Sequence, residues 1–99
     1  MEVTFEWDEA KRSANLGKHG IDFVDVPEMF TGSIMVVPDA RKDYGETRHI
    51  GFGFINRRLV TVVFTKRNPE TIRIISARKA NDREKAQFKE SLADQLGQN

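Results

Sequence analysis

Three features of the sequence predict a single α+β domain, an antiparallel β-sheet meander packed against N-terminal helices and a C-terminal helix. Apolar residues recur at helical spacing near both ends of the chain, whereas in the middle they alternate. The last three alternating stretches are joined by short connections, which makes them antiparallel neighbours. The 99 residues suffice for one modest core, and no repeat, linker or low-complexity segment divides 1–99.

The first element is a short strand, Val3 to Trp7, and Trp7 reads as core rather than as a base-stacking platform. Asp8 then offers an N-cap, and Glu9 lies in the first turn, where the helix dipole favours an acid. The helix from about Glu9 to Lys18 has Ala10, Ala14 and Leu16 as its few apolar contacts. It stops at Lys18-His19-Gly20, where glycine can take the left-handed conformation. A second, shorter helix follows, with Phe23, Val26, Met29 and Phe30 at helical spacing. Pro27 leaves its start open between Asp22 and Asp25.

Ser33 to Val37 is an apolar strand halted by Pro38-Asp39, and a polar loop runs from Asp39 through Gly45. Thr47 to Ile55 alternates: Ile50, Phe52 and Phe54 share one face, and His49, Gly51, Gly53 and Ile55 share the other. Glycines inside a strand mark a bend, a bulge or close packing of another backbone. Asn56-Arg57 is a tight turn into Arg58–Lys66, which carries the stripe Val60, Val62, Phe64. Asn81 and Glu84 have the spacing of a capping box. Phe88, Leu92 and Leu96 form the apolar stripe of a last helix, which should fray over Gly97, Gln98 and Asn99.

The chain is organised around Glu70-Thr71-Ile72-Arg73-Ile74-Ile75-Ser76-Ala77-Arg78-Lys79-Ala80, which opens as a strand. Simple alternation puts Arg73 and Arg78 on opposite faces, with Arg78 following Ile72 and Ile74 on theirs. A cation at the end of an apolar face needs a partner. That partner is either a carboxylate of the protein, making a salt bridge, or an anion from outside, making a phosphate site.

Composition narrows the chemistry. No run approaches the roughly 18 apolar residues of a membrane helix, and the N-terminus lacks the pattern of a signal peptide, so a cytoplasmic location is expected. Zero cysteines exclude disulfides, a thiol nucleophile and thiolate metal sites. Two histidines without a carboxylate–histidine pattern predict no metal site and no cofactor. The net charge of +1 hides an asymmetry, with Arg57, Arg58, Lys66, Arg67, Arg73, Arg78, Lys79 and Arg83 gathered in the second half. That distribution permits an anionic partner. An RNA ligand would make metal-free cleavage chemically accessible. A 2′-hydroxyl attacks phosphorus, guanidinium groups such as Arg48, Arg73 and Arg78 hold the phosphate, and His19, Glu46 or Glu84 moves protons. The spacing also allows plainer roles: an end-of-helix cap for His19, a surface place for His49, an ion pair for Glu46 and Arg48, and the capping box for Glu84.

Four blocks, in order, add a family resemblance. Phe5-Glu6-Trp7-Asp8, Asn15-Leu16-x-Lys18-His19-Gly20-Ile21-x-Phe23, Tyr44-Gly45-Glu46-x-Arg48 and Arg73-Ile74-Ile75-Ser76-Ala77-Arg78-Lys79-Ala80 resemble the BrnT family of type II toxins. The resemblance implies a RelE-like fold, a ribonuclease that blocks translation, and a neighbouring BrnA-like ribbon-helix-helix antitoxin through which alone the pair would meet operator DNA. It implies an RNA site on the open face of the sheet. His19, Glu46, Arg48, Arg73 and Arg78 are the catalytic candidates, and Lys18, Lys66, Arg67 and Lys79 the RNA-binding ones. Two departures stand out: Phe88 occupies a place where the family often has Tyr, and Pro27 interrupts what is usually an ordinary helix. A competing reading is a non-catalytic module that binds an antitoxin and acts as promoter co-repressor. An independent DNA binder is disfavoured, because the basic residues lie mostly on strands and turns rather than along one helix face.

Overall fold

A computed structural model describes residues 3–41 and 43–97, with side chains to residue 94. Five strands form one sheet: β1 (Thr4–Glu6), β2 (Met35–Pro38), β3 (His49–Ile55), β4 (Arg58–Asn68) and β5 (Thr71–Lys79). Their spatial order is β1-β5-β4-β3-β2. The meander β2–β5 is antiparallel, which the short connections predict for its last three strands, and β1 joins the far side of β5 in parallel. The β3–β4 link is a two-residue hairpin with positive φ at both Asn56 (50°) and Arg57 (69°), the geometry that matches strand twist.

Helix α1 (Glu9–His19) starts at Asp8, whose side chain accepts from the amides of Ala10 and Lys11, and ends at Gly20 with φ of 72°. The next segment, Phe23–Thr31, is a 3₁₀ helix with Asp22 as its cap. Its fully buried residues, Phe23, Val26 and Met29, are three apart, the repeat of a 3₁₀ turn. Pro27 therefore lies within the 3₁₀ segment. Gly53 admits this segment onto the sheet, and Gly51 makes room for Val62, Ile34 and Phe64. A Cβ at Gly53 would lie 3.3 Å from Met29 Cβ, and one at Gly51 would lie 3.2 Å from Val62 Cγ1. Close packing is thus what those glycines serve.

Helices cover both faces. On one, the 3₁₀ segment packs on Val60, Val62, Phe64, Ile72, Ile74 and Ala77, with Trp7 edge-on to Phe23. On the other, α2 (Asp82–Gly97) lays Phe88 and Leu92 against Phe52 and Leu59. Phe88 is buried there. Its capping box forms in full: Glu84 N–H donates to Asn81 Oδ1, and Asn81 N–H donates to Glu84 Oε1. The side chain of Leu96 and the fraying expected for Gln98 and Asn99 lie outside the described residues. The second core is smaller than the first, and beside it a partly open polar strip runs along β5 and β4, touched by α2 only at its first turn through Glu84.

Candidate functional site

The strip owes its composition to an irregularity in β5. Phe64 pairs with Ile74, but Val63 pairs with Ser76, so Ile75 is an extra residue. Beyond this bulge the alternation is reset. Ala77 now takes the buried face with Ile72 and Ile74, and Arg78 turns to the opposite one beside Thr61. Arg73, opposite Thr65, is on that face as well. Simple alternation had separated the two arginines; the bulge corrects this and sets both on the open side.

Each has a carboxylate partner. Arg78 Nη1 and Nη2 donate to the two oxygens of Glu84 at 2.8 Å. Glu84 also accepts from Thr61 Oγ1 and the Asn81 amide. The Arg78 guanidinium, aided by those two donors, holds the Glu84 carboxyl down to about 2 against the opposing effect of burial. Glu84 is therefore a carboxylate at neutral pH and, while paired, cannot serve as a general acid. Glu84 in turn raises the Arg78 pKa. Arg73 Nη1 donates to Glu6 Oε2 at 3.0 Å, and Arg67 Nη1 reaches the same oxygen at 3.6 Å. Among the described residues Arg73 bonds through Nη1 alone, which leaves Nε and Nη2 for another acceptor, whereas Arg78 is held across both terminal nitrogens.

The segment between β2 and β3, read from sequence as a polar loop only through Gly45, is organised around Asp39. Its side chain is fully buried and receives Arg41 Nε and Nη2, each at 2.8 Å, together with the Arg41 amide. Arg41 lowers the Asp39 carboxyl to about 2, with help from the Tyr44 side chain. Arg48 lies 4.0 Å over the Tyr44 ring, and its Nε donates to Glu46 Oε2 at 3.0 Å. This ion pair precedes β3, which starts at His49 rather than at Thr47 as the alternation suggests. Asp39 N–H donates to the Arg48 carbonyl, and Thr65 Oγ1 donates to that of Thr47, which fixes the loop to the sheet. Arg41 is near enough to Arg78 to repel it.

Asn15 completes the site. β1 covers only the first part of β5, and α1 covers the rest through this one buried amide. Its Nδ2 donates to the Ala77 and Ile21 carbonyls, and its Oδ1 accepts from the Ala77 amide, as a neighbouring strand would. Next to it a shallow notch at the β5 bulge is lined by Lys11, Lys18, His19, Ile75 and Ser76.

Of the sequence candidates, Arg73 and Arg67 come together at Glu6, Glu46 meets Arg48, and Lys18 and His19 flank the notch. Lys66 and Lys79 pair across from Ile72 and Val60, so they belong to the other face. His49 stacks on Phe64, 5.4 Å between centroids. Sequence reasoning assigned no site role to Asn15, Asp39, Arg41, Tyr44 and Thr61. The Asp39-x-Arg41 spacing was the one local sign of the loop's fork; nothing local marks the others. No cluster of histidines and carboxylates suited to a metal ion occurs among the described residues. No described helix is long and apolar enough to cross a membrane.

Comparison with known proteins gives these features a context. Residues 7–84 match the family described as ribonuclease toxin, BrnT, of type II toxin-antitoxin system. The crystal structure of the Brucella abortus ribonuclease toxin BrnT superposes with a TM-score of 0.67 at 34% identity, covering 81% of this chain and 99% of that one. No curated protein sequence matches. The class is thus the ribonuclease toxins of type II toxin–antitoxin systems, proteins that have a cognate antitoxin. Within it, this chain belongs to the BrnT family.

Proposed function

We propose that this chain is a metal-independent endoribonuclease that inhibits translation by cutting RNA along the open strip of β5. The observation that carries the reading is the Ile75 bulge, which sets Arg73 and Arg78 on one face, both partly exposed beside α2. Arg73 offers its unused N–H groups to a phosphate oxygen. Arg78 takes a second oxygen by exchanging it for Glu84, and Arg48 approaches from the loop. The substrate 2′-oxygen attacks phosphorus, the 5′-oxygen departs, and the products are a 2′,3′-cyclic phosphate and a 5′-hydroxyl. The guanidinium groups stabilise the charge that grows on the non-bridging oxygens. His19 in its notch and Glu46 on its loop are the proton-transfer groups. Lys18 and Arg67 hold neighbouring phosphates, as do Lys66 and Lys79 where the RNA strand wraps the sheet ends. A BrnA-like ribbon-helix-helix antitoxin neutralises the enzyme in the cytoplasm and carries the pair to operator DNA.

Cleavage of a defined RNA by antitoxin-free protein in excess EDTA tests this. Wild type should leave cyclic-phosphate ends. Arg73→Ala should lose at least about tenfold in rate, as removal of a transition-state donor does, with its fold intact by circular dichroism. Arg78→Ala should lose more, and pairing it with Glu84→Gln avoids leaving a buried carboxylate alone. Activity that vanishes in EDTA, or that survives both arginine changes, would sink the mechanism.

A further inference from the structure

Beside α2, away from the loop 39–48, lies a groove of about 530 Å³ that the ribonuclease reading does not use. Its floor is apolar: Phe54, Leu59, Phe88 and Leu92. Phe54 and Phe88 meet edge to face at 5.4 Å, and Phe54 remains 43% exposed although it lies within a strand. Leaving that much aromatic surface in water is unfavourable unless something covers it.

The rim states the chemistry of what covers it. Arg57, Arg58, Lys85 and Lys89 surround the floor. Lys85 is 4.0 Å from a fully exposed Asp82, and no ion pair forms at the other three among the described residues. This contrasts with the β5 strip, where Arg41, Arg48, Arg73 and Arg78 each have a carboxylate. The hairpin turn, with both central residues at positive φ, holds Arg57 and Arg58 on a stiff support. Nucleic acid would find the cations and could stack one base on Phe54, but the aliphatic Leu59 and Leu92 offer no stacking face. A peptide with apolar side chains on one face and carboxylates flanking them satisfies both.

We propose that this groove docks an acidic amphipathic segment of the cognate antitoxin, whose aliphatic or aromatic side chains fill the floor while Asp or Glu residues engage the rim. The inference rests on membership of the toxin family, which supplies the existence of an antitoxin. The groove leaves the β5 strip uncovered by its own contacts, so anchoring and neutralisation are separable.

The test co-expresses the protein with the product of the adjacent antitoxin gene and measures the affinity of the purified pair. Two variants are compared with wild type: Arg58→Glu with Lys89→Glu on the rim, and Phe54→Ser on the floor. Both should weaken the complex by about tenfold or more, the rim variant should flatten its salt dependence, and RNA cleavage by the free variants should match wild type. Unchanged affinity in folded variants would overturn the proposal. So would retained affinity with lost cleavage, which would make the groove an RNA surface. If wild type itself fails to bind that gene product, the partnership beneath the proposal fails too, and cleavage by the free protein tells whether the ribonuclease reading survives.

Discussion

At the scale of single residues, one amide does the work of a missing strand. Asn15 supplies a donor and an acceptor to Ala77 and a third hydrogen bond to Ile21, all in a buried setting. Asn15→Ala would strand three backbone groups and should cost about 2–4 kcal/mol, measurable by urea unfolding. Glu84 makes a different prediction. Its carboxyl and that of Asp39 titrate lower in the folded protein, each near 2, than in the unfolded chain. Their stabilisation is complete above the unfolded value of about 4 and is lost as pH falls from there toward about 2. Acid unfolding followed by circular dichroism should show this decline, and Glu84→Gln should make it shallower. At neutral pH that variant should be less stable by about 1–2 kcal/mol, because the amide keeps the cap but not the charge. The capping role of Glu84 is readable from four consecutive letters. Its bond to Arg78 is not, since that depends on where β5 ends relative to α2.

Elements show why some readings succeed and others need the structure. Helix α1 was legible because its signals are local: Asp8 at one end, Gly20 at the other. The alternation in β3 and β4 was legible for the same reason. The 3₁₀ segment reads as an ordinary short helix, because Phe23, Val26 and Met29 fit both repeats over so few turns. The β5 bulge leaves no local mark at all. It arises from how β5 registers on β4, and it moved Arg78 to the other face. Two glycine substitutions separate local from tertiary effects. Gly17 has nothing within 4 Å of a built Cβ, so Gly17→Ala should stabilise α1 by roughly 0.5–1 kcal/mol. Gly53→Ala meets Met29 at 3.3 Å on its Cβ and 3.4 Å on its carbonyl oxygen, and should cost about 1–3 kcal/mol. Thermal unfolding of the two variants gives opposite signs if the 3₁₀ segment packs on β3 as described.

For the molecule as a whole, charge is arranged rather than accumulated. A net charge of +1 gives little long-range attraction for nucleic acid. Four arginine–carboxylate pairs keep the β5 strip nearly neutral at rest while holding the guanidinium groups extended. RNA binding should accordingly depend on few phosphates. Arg73→Ala should reduce the slope of log affinity against log salt by roughly 0.7, the value for one phosphate contact on a single strand. A similar slope in wild type and variant would remove Arg73 from the RNA contacts. The α+β architecture and the order of its elements could be read from periodicity and turn residues. The mixed sheet could not, because the β1–β5 pairing spans 67 residues of sequence and leaves no periodic trace.

That pairing has a consequence for how the protein comes into being. The strand bearing Arg73 and Arg78 is the last of the five described strands to be synthesised, and it is clamped between the first strand and β4. A nascent or prematurely terminated chain that ends before residue 71 lacks β5, the strand that joins β1 to β4, and with it Glu84 and α2. Such fragments carry neither Arg78 nor a completed core. Until β5 is made, β1 has no partner in the sheet and the larger core lacks Ile72, Ile74 and Ala77.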